Sequence, residues 1–265
     1  MIGSMLNFLL NILAIIVLGV LLYYAIQNLQ HEGFINPSYS NFSIKFLTAE
    51  ESKKFLLNDP DEYVHTLNQW DLIARKVSTY QDYLNKISNA TLSFTNEQKT
   101  RLLNAAKDAD EFFNKTRIDG INCEEIATIP WIFALTKDKE YEDGLPHTRA
   151  NTIFLSTILD QTHSKLVRTL IHEKIHIYQR LNPEDMMTFL ATHGYYQYKQ
   201  RFGIPRIRSN PDLDPWIYFN PISKQPMVAY YTSDNPLHID DVTLTKSIEE
   251  HPYEEIAYNI AQKFN

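Results

Sequence analysis

His172, Glu173 and His176 form a His-Glu-x-x-His string within residues 169–180 (TLIHEKIHIYQR). On a helix, side chains four residues apart lie one above the other, so both imidazoles can reach one metal ion. Glu173 follows His172 directly, which puts its carboxylate beside the remaining coordination position, where it can take a proton from water. That is the chemistry of a zinc-dependent hydrolase. Leu166, Val167, Leu170, Ile171, Ile175, Tyr178 and Leu181 recur at helical spacing around the string, with a thin polar line through Thr169, His172, His176 and Gln179. The pattern predicts a helix buried over most of its circumference and stopped at Asn182-Pro183, since proline disfavours helical geometry in the residue before it. The plain alternative is a core helix whose two histidines only hydrogen-bond to neighbours.

A catalytic zinc takes three protein ligands and a water, so a third ligand is needed. The best candidate lies in residues 251–261 (HPYEEIAYNIA), where Pro252 suits a first helical turn and the acidic residues complement the helix dipole. Glu254 shares a face with Ala257, Tyr258 and Ala261, and the small alanines allow close approach to the metal-binding helix. Glu255 falls beside Asn259 and Gln262, on a face expected to be solvated. Glu254 is therefore the expected ligand.

Several elements must position these groups. Thr48-Ala49-Glu50-Glu51 has the form of a capping box, Asp59-Pro60-Asp61 that of another helix start, and Trp70 to Ile87 carry the apolar positions of one longer amphipathic helix. Another helix is expected over 96–115, with Leu102, Leu103, Ala106, Ala109 and Phe112 or Phe113 on its buried face. Residues 152–155 are β-branched and aromatic and predict a strand at the upper edge of an active cleft, where an extended peptide adds by main-chain hydrogen bonds. His147 and Arg149 would lie near that cleft or else in a solvated loop. Residues 184–202 read as a helix, followed by a proline-punctuated loop over 205–215 and a hairpin turning at 220–225, whose aromatic residues line a pocket or fill a core.

The chain has 265 residues, 44% of them hydrophobic, enough for a substantial core. A net charge of −7 and the absence of any basic run exclude a nucleic-acid footprint. Residues 5–26 carry no charge and are continuously apolar from Ile12, a length that crosses a bilayer and is expected to be a single membrane anchor. A cleaved signal peptide fits less well, because the segment lacks a basic start and a small-x-small cleavage site. Lys45, Lys53 and Lys54 after the segment, and a lone Cys123, favour a cytosolic body, whereas Asn-x-Ser/Thr sequons at Asn41, Asn89 and Asn114 point the other way. The domain reading is an anchor over 1–27, a tether over 28–44, a helical scaffold over 45–120 and the catalytic region over 121–265.

With His172, Glu173, His176 and Glu254 in these positions the chain resembles the gluzincin metallopeptidases, whose pattern is His-Glu-x-x-His on one helix and a zinc-binding Glu on a later one, often as Glu-x-x-Ala. The string HEKIHIYQ also resembles the His-Glu-x-x-His-x-x-Gln variant of several bacterial and viral peptidase-like groups. The metzincin pattern would need glycine at Gln179 and histidine at Asn182. The resemblance covers about a third of the chain and leaves the amino-terminal helices unexplained. It implies an α+β, zincin-like fold, mostly helical with a small mixed sheet beside the metal-binding helix. It also implies one zinc ion per chain, a peptide or protein substrate, endopeptidase activity, and an auxiliary Tyr or His that steadies the oxyanion. Tyr230, Tyr231, His238 and His251 remain open for that role, and His147, Tyr230 and Tyr231 for substrate binding. A catalytically inactive zincin-type binding or structural membrane protein is the alternative. The chain as a whole also resembles anchored proteins of large DNA viruses, which implies a virion or host-membrane location.

Overall fold

The computed structural model describes residues 42–157, 162–245, 247 and 249–264. The membrane-anchor segment, and the tether as far as residue 41, lie outside the described residues. Among the described residues no helix is long and apolar enough to cross a membrane.

The architecture is α+β. Its sheet is formed by β1 (Ile44–Phe46), β2 (Thr91–Leu92), β3 (Trp131–Thr136), β4 (His147–Arg149) and β5 (Thr152–Ser156), in the order β1-β3-β5-β4 with β2 antiparallel to the end of β3. β1, β3 and β5 run parallel, and β4 is antiparallel to β5. Strand side chains alternate between faces, and here both faces are covered. Phe133, Leu135, Ile153 and Leu155 join one apolar cluster, whereas Ala134 and Phe154 join another. The second cluster is supplied by α1 (Ala49–Asn58), α2 (Tyr63–Thr66) and α4 (Tyr80–Asn89), with α3 (Gln69–Ala74) lying between α2 and α4 in the chain. The first is supplied by α5 (Asn96–Lys115), α6 (Cys123–Thr128), α7 (His163–Leu181), α8 (Pro183–Thr192) and α9 (Pro252–Ala261). β6 (Tyr196–Gln200), β7 (Trp216–Phe219) and β8 (Pro226–Met227) make an antiparallel sheet, and β9 (Ala229–Tyr231) pairs with β10 (Val242–Leu244). The regions read as scaffold and as catalytic thus share one sheet, because β1 and β2 both pair with β3.

The capping box at Thr48 is present, α5 spans the expected residues, and α7 ends where Pro183 begins the next helix. Four expectations change. The single helix through Trp70 and Ile87 is two helices, interrupted at Arg75 and at Lys76 (φ 60°), after which the Thr79 hydroxyl accepts the Asp82 N–H to start α4. Asp59 ends α1 in the left-handed region, and the helix after Pro60 is a single short turn. The helix expected over 184–202 stops at Thr192, because Gly194 at φ +80° turns the chain into β6. Residues 152–156 form an interior strand flanked by β3 and β4, so the edge beside α7 belongs to β4 instead.

Arg75 is drawn inward. Its guanidinium meets the Glu142 carboxylate at 2.6 Å and donates to Tyr63 Oη, and both charged residues are buried. Burial opposes ionisation of Glu142, but the Arg75 charge, His147 and the hydrogen bonds from Arg75 and Tyr83 together hold the carboxyl below its usual range. Glu142→Ala should lower the unfolding free energy by about 3–5 kcal/mol in a denaturant titration, because it strands a buried guanidinium. A depressed folded pKa gives stability that is present above the unfolded value and lost as pH falls through the folded one, so the gap between wild type and variant should narrow in acid.

Candidate metal centre

α7 crosses the core with Leu166, Val167, Leu170, Ile171, Ile175, Ile177 and Tyr178 all buried, which leaves little freedom in its rotation. An unexpected buried charge fixes it further: Lys174 Nζ lies 2.5 Å from Asp110 Oδ1 of α5 and 4.1 Å from the Trp131 ring centroid. Burial, opposed by Asp110, lowers the Lys174 pKa to about 8. α9 packs on α7 through Ile256, Ala257, Ile260 and Ala261, all buried, and the two alanines admit the close approach that brings its first turn to the histidines.

His172, His176 and Glu254 converge. Their Nε2, Nε2 and Oε2 atoms are 3.0 Å apart between the histidines, 3.2 Å from His172 to Glu254 and 3.5 Å from His176 to Glu254. Ligands of a tetrahedral zinc, each about 2.0–2.2 Å from the ion, stand about 3.3–3.5 Å apart, so the donor set and its spacing fit that metal. The side chains of His172 and Glu254 are 23% and 17% exposed and that of His176 is 0%, so the group is reached from one side only. Burial opposes ionisation of Glu254, yet the adjoining His176 and His172 hold its pKa well below the usual range. Burial would lower His176, but Glu254 and Asp212 together raise it to about 9. The pocket is thus built for positive charge between the two helices.

The outer atoms of these ligands are also held. His176 Nδ1–H donates to Gln179 Oε1 at 2.8 Å, and Gln179 Nε2 donates to the Tyr253 carbonyl at 3.1 Å, which turns Nε2 of His176 toward His172 and Glu254 and ties α7 to α9. Asn210 Nδ2 donates to Glu254 Oε1 at 2.8 Å and to Glu250 Oε1 at 2.9 Å, keeping Oε2 turned toward the histidines. Gln179→Leu should weaken zinc about 10- to 100-fold in competition with a chromophoric chelator, the usual effect of removing a partner that orients a ligand. An unchanged affinity would mean that packing alone fixes the ring.

Glu173 is 3% exposed, and its Oε2 has no hydrogen-bond partner. Burial, then the charge of Asp212, pushes its pKa well above the carboxylate range, with His176, Glu254 and Arg180 also acting on it.

Other sequence candidates lie elsewhere. His147 is buried between Tyr141 and Phe154, with Nδ1–H directed to the Leu145 carbonyl. Arg149 is buried against Asp59 and Asp61, so neither residue belongs to a solvated loop. Tyr231 is buried and donates to Asp71, Tyr230 packs against Ile207, Ile217 and Val228, and His238 faces Asp143 at 3.6 Å. His251 caps α9 by accepting the Tyr253 N–H, and its Nε2 meets Asp214. Glu255 is half-buried beside Tyr195 rather than solvated, and it stays outside the triad. Tyr258, expected on the packed face, is exposed.

Sequence reasoning missed Asn210, Asp212 and Arg180. The first two sit in the proline-punctuated loop, where no periodicity reports direction, and only the rule that loops carry function pointed there. No family model matches the chain, and no curated protein or solved structure matches it.

Proposed function

We propose that the chain is a zinc-dependent peptidase of zincin type, tethered to a membrane by its apolar amino-terminal segment. The observation that carries this reading is the convergence of His172, His176 and Glu254 from two helices at close to zinc-ligand spacing, with the buried Glu173 next to His172 in the chain. Zinc in this centre would polarise a scissile carbonyl and acidify water. His172 and His176 would each hold the ion through one ring nitrogen, the ion taking the place of a proton on His176, and Glu254 would supply one negative charge through a single oxygen. Glu173 takes the proton of the attacking water and passes it to the leaving amine nitrogen as the C–N bond breaks. Arg180 and Asn210 keep loop and strand in place around that exchange.

One observation favours the alternative of a non-catalytic binding protein: the Thr148 N–H of the edge strand and both backbone groups of the following Ala150 are already bonded to the protein's own side chains, which obstructs strand addition there. The full chain, purified in detergent, separates the two. The peptidase reading expects close to one zinc per chain by elemental analysis and cleavage within a broad peptide library. Absence of zinc under non-chelating conditions sinks it, and bound zinc with no cleavage of any peptide leaves the binding protein.

A further inference from the structure

β4 ends the sheet beside α7, and its outward Thr148 N–H and both backbone groups of the following Ala150 are taken. The Thr148 N–H donates to Asp212 Oδ1 at 2.7 Å, the Ala150 N–H donates to Asp61 Oδ2 at 2.9 Å, and the Ala150 carbonyl accepts from Arg180 Nη1 at 2.5 Å. A peptide that binds as an added strand needs free donors and acceptors along such an edge. Three bonds, all involving buried or half-buried side chains, would have to break first. An extended interior stretch of polypeptide is therefore a poor fit to this centre.

What stays open is a cavity of about 210 Å³ walled by Arg180, Arg201, Asn210, Tyr63, Phe202 and Leu213. That is smaller than the usual site for a drug-sized ligand and has room for about one amino-acid residue. One residue links it to the metal centre: Asn210, in its wall, donates to Glu254. Its walls carry two guanidiniums. Arg180 donates to three neutral oxygens, those of Thr148 Oγ1, Ala150 and Pro211, and the carboxylates acting on it, Asp212, Asp61 and Glu173, do so without a direct bond. Arg201 stands 3.9 Å from Glu250, and its Nη1 has no hydrogen-bond partner. The two acids in the wall are already committed: Asp61 pairs with Arg149 at 2.5 Å, and Asp214 accepts from Tyr218 and faces His251. A guanidinium bonded only to neutral oxygens gains most from a carboxylate, to which it donates charge-assisted, paired hydrogen bonds.

We infer that this cavity is a subsite for one carboxylate-bearing residue of the substrate, held by Arg180 next to the scissile bond. The carboxylate is either the chain terminus, which makes the protein an enzyme that trims peptide ends, or an Asp or Glu side chain. The inference rests on the peptidase reading for its consequence, but binding tests it independently of turnover.

The test uses full-length, zinc-loaded Glu173→Gln protein in detergent and the fluorescence anisotropy of amino-terminally labelled hexapeptides. Four peptides combine a free or amidated terminus with Glu or Gln as the last residue. A peptide bearing a carboxylate should bind about tenfold or more tightly than the amidated Gln peptide, the scale of one charge-assisted contact. A preference that follows the terminus identifies an end-trimming site, and one that follows the side chain identifies an acidic-residue site. Arg180→Met in the same background should erase the preference, and Arg180→Lys should retain part of it. The comparison among peptides on one protein stands even if Arg180→Met fails to fold. Equal affinity for all four peptides, binding of none, or a preference undiminished in folded Arg180→Met protein overturns the inference. Its failure is distinct from that of the peptidase reading. Wild-type protein that cleaves all four equally removes only the subsite, whereas carboxylate-selective binding without any cleavage removes only the peptidase.

Discussion

Replacing Glu173 by Gln should lower kcat/KM for peptide hydrolysis by about a thousandfold or more, the scale of losing a positioned general base, while zinc content stays near the wild-type value. Glutamine keeps the shape of the side chain but cannot take a proton. Glu173 is not one of the three converging ligands, so the metal should remain. Folding should also survive. The carboxyl is 3% exposed, one of its oxygens has no partner, and burial with the Asp212 charge already disfavours its ionised form. A neutral amide there relieves that cost rather than adding one. The measurement is a steady-state rate on the fastest peptide, alongside zinc analysis and a thermal melt of the same preparation. A variant with wild-type rates removes Glu173 from the chemistry. Loss of zinc together with activity would instead make Glu173 a support of the centre.

Glu254→Ala should weaken zinc by about two orders of magnitude or more, beyond what loss of an orienting partner does, because it leaves two protein ligands of three. It should also leave Asn210 Nδ2 with Glu250 alone. Glu255→Ala is the matched control: same helix turn, same charge removed, but a side chain that faces Tyr195 and not the histidines. Its zinc affinity should stay within a few-fold of the wild type. Chelator competition on both variants reads the difference directly. If the two behave alike, the affinity comes from general negative charge at the start of α9 and not from a coordinated oxygen.

Most of the centre is legible in the sequence because its parts are local. His172, Glu173 and His176 are neighbours on one helix, and helical geometry alone places the two imidazoles together. Pro252 and the small-residue spacing of Ala257 and Ala261 likewise marked α9 as a helix able to approach closely, and Glu254 does lie against both histidines. The Thr48 capping box and α5 were legible for the same reason, since caps and apolar repeats act within a few residues. Errors came where a distant partner decided the outcome. Arg75 interrupts what the apolar spacing read as one helix and turns in to Glu142, and residues 152–156 are interior because β4 folds back beside them.

The residue types and their spacing therefore determined by themselves that this protein has two histidines on one helical face with a glutamate between them, and a second acidic helix able to reach them. Only the tertiary structure decided what surrounds that group. Gln179 holds His176, Asn210 turns one oxygen of Glu254 away, Asp212 and Asp61 close the edge of β4, and Arg180 faces a cavity without a bonded carboxylate. Apart from Gln179 and His176, those contacts join residues tens of positions apart, mostly through a loop with no periodicity. Direction in such a loop is set by the donors and acceptors it meets when the sheet and helices pack, since each buried polar group must find a partner.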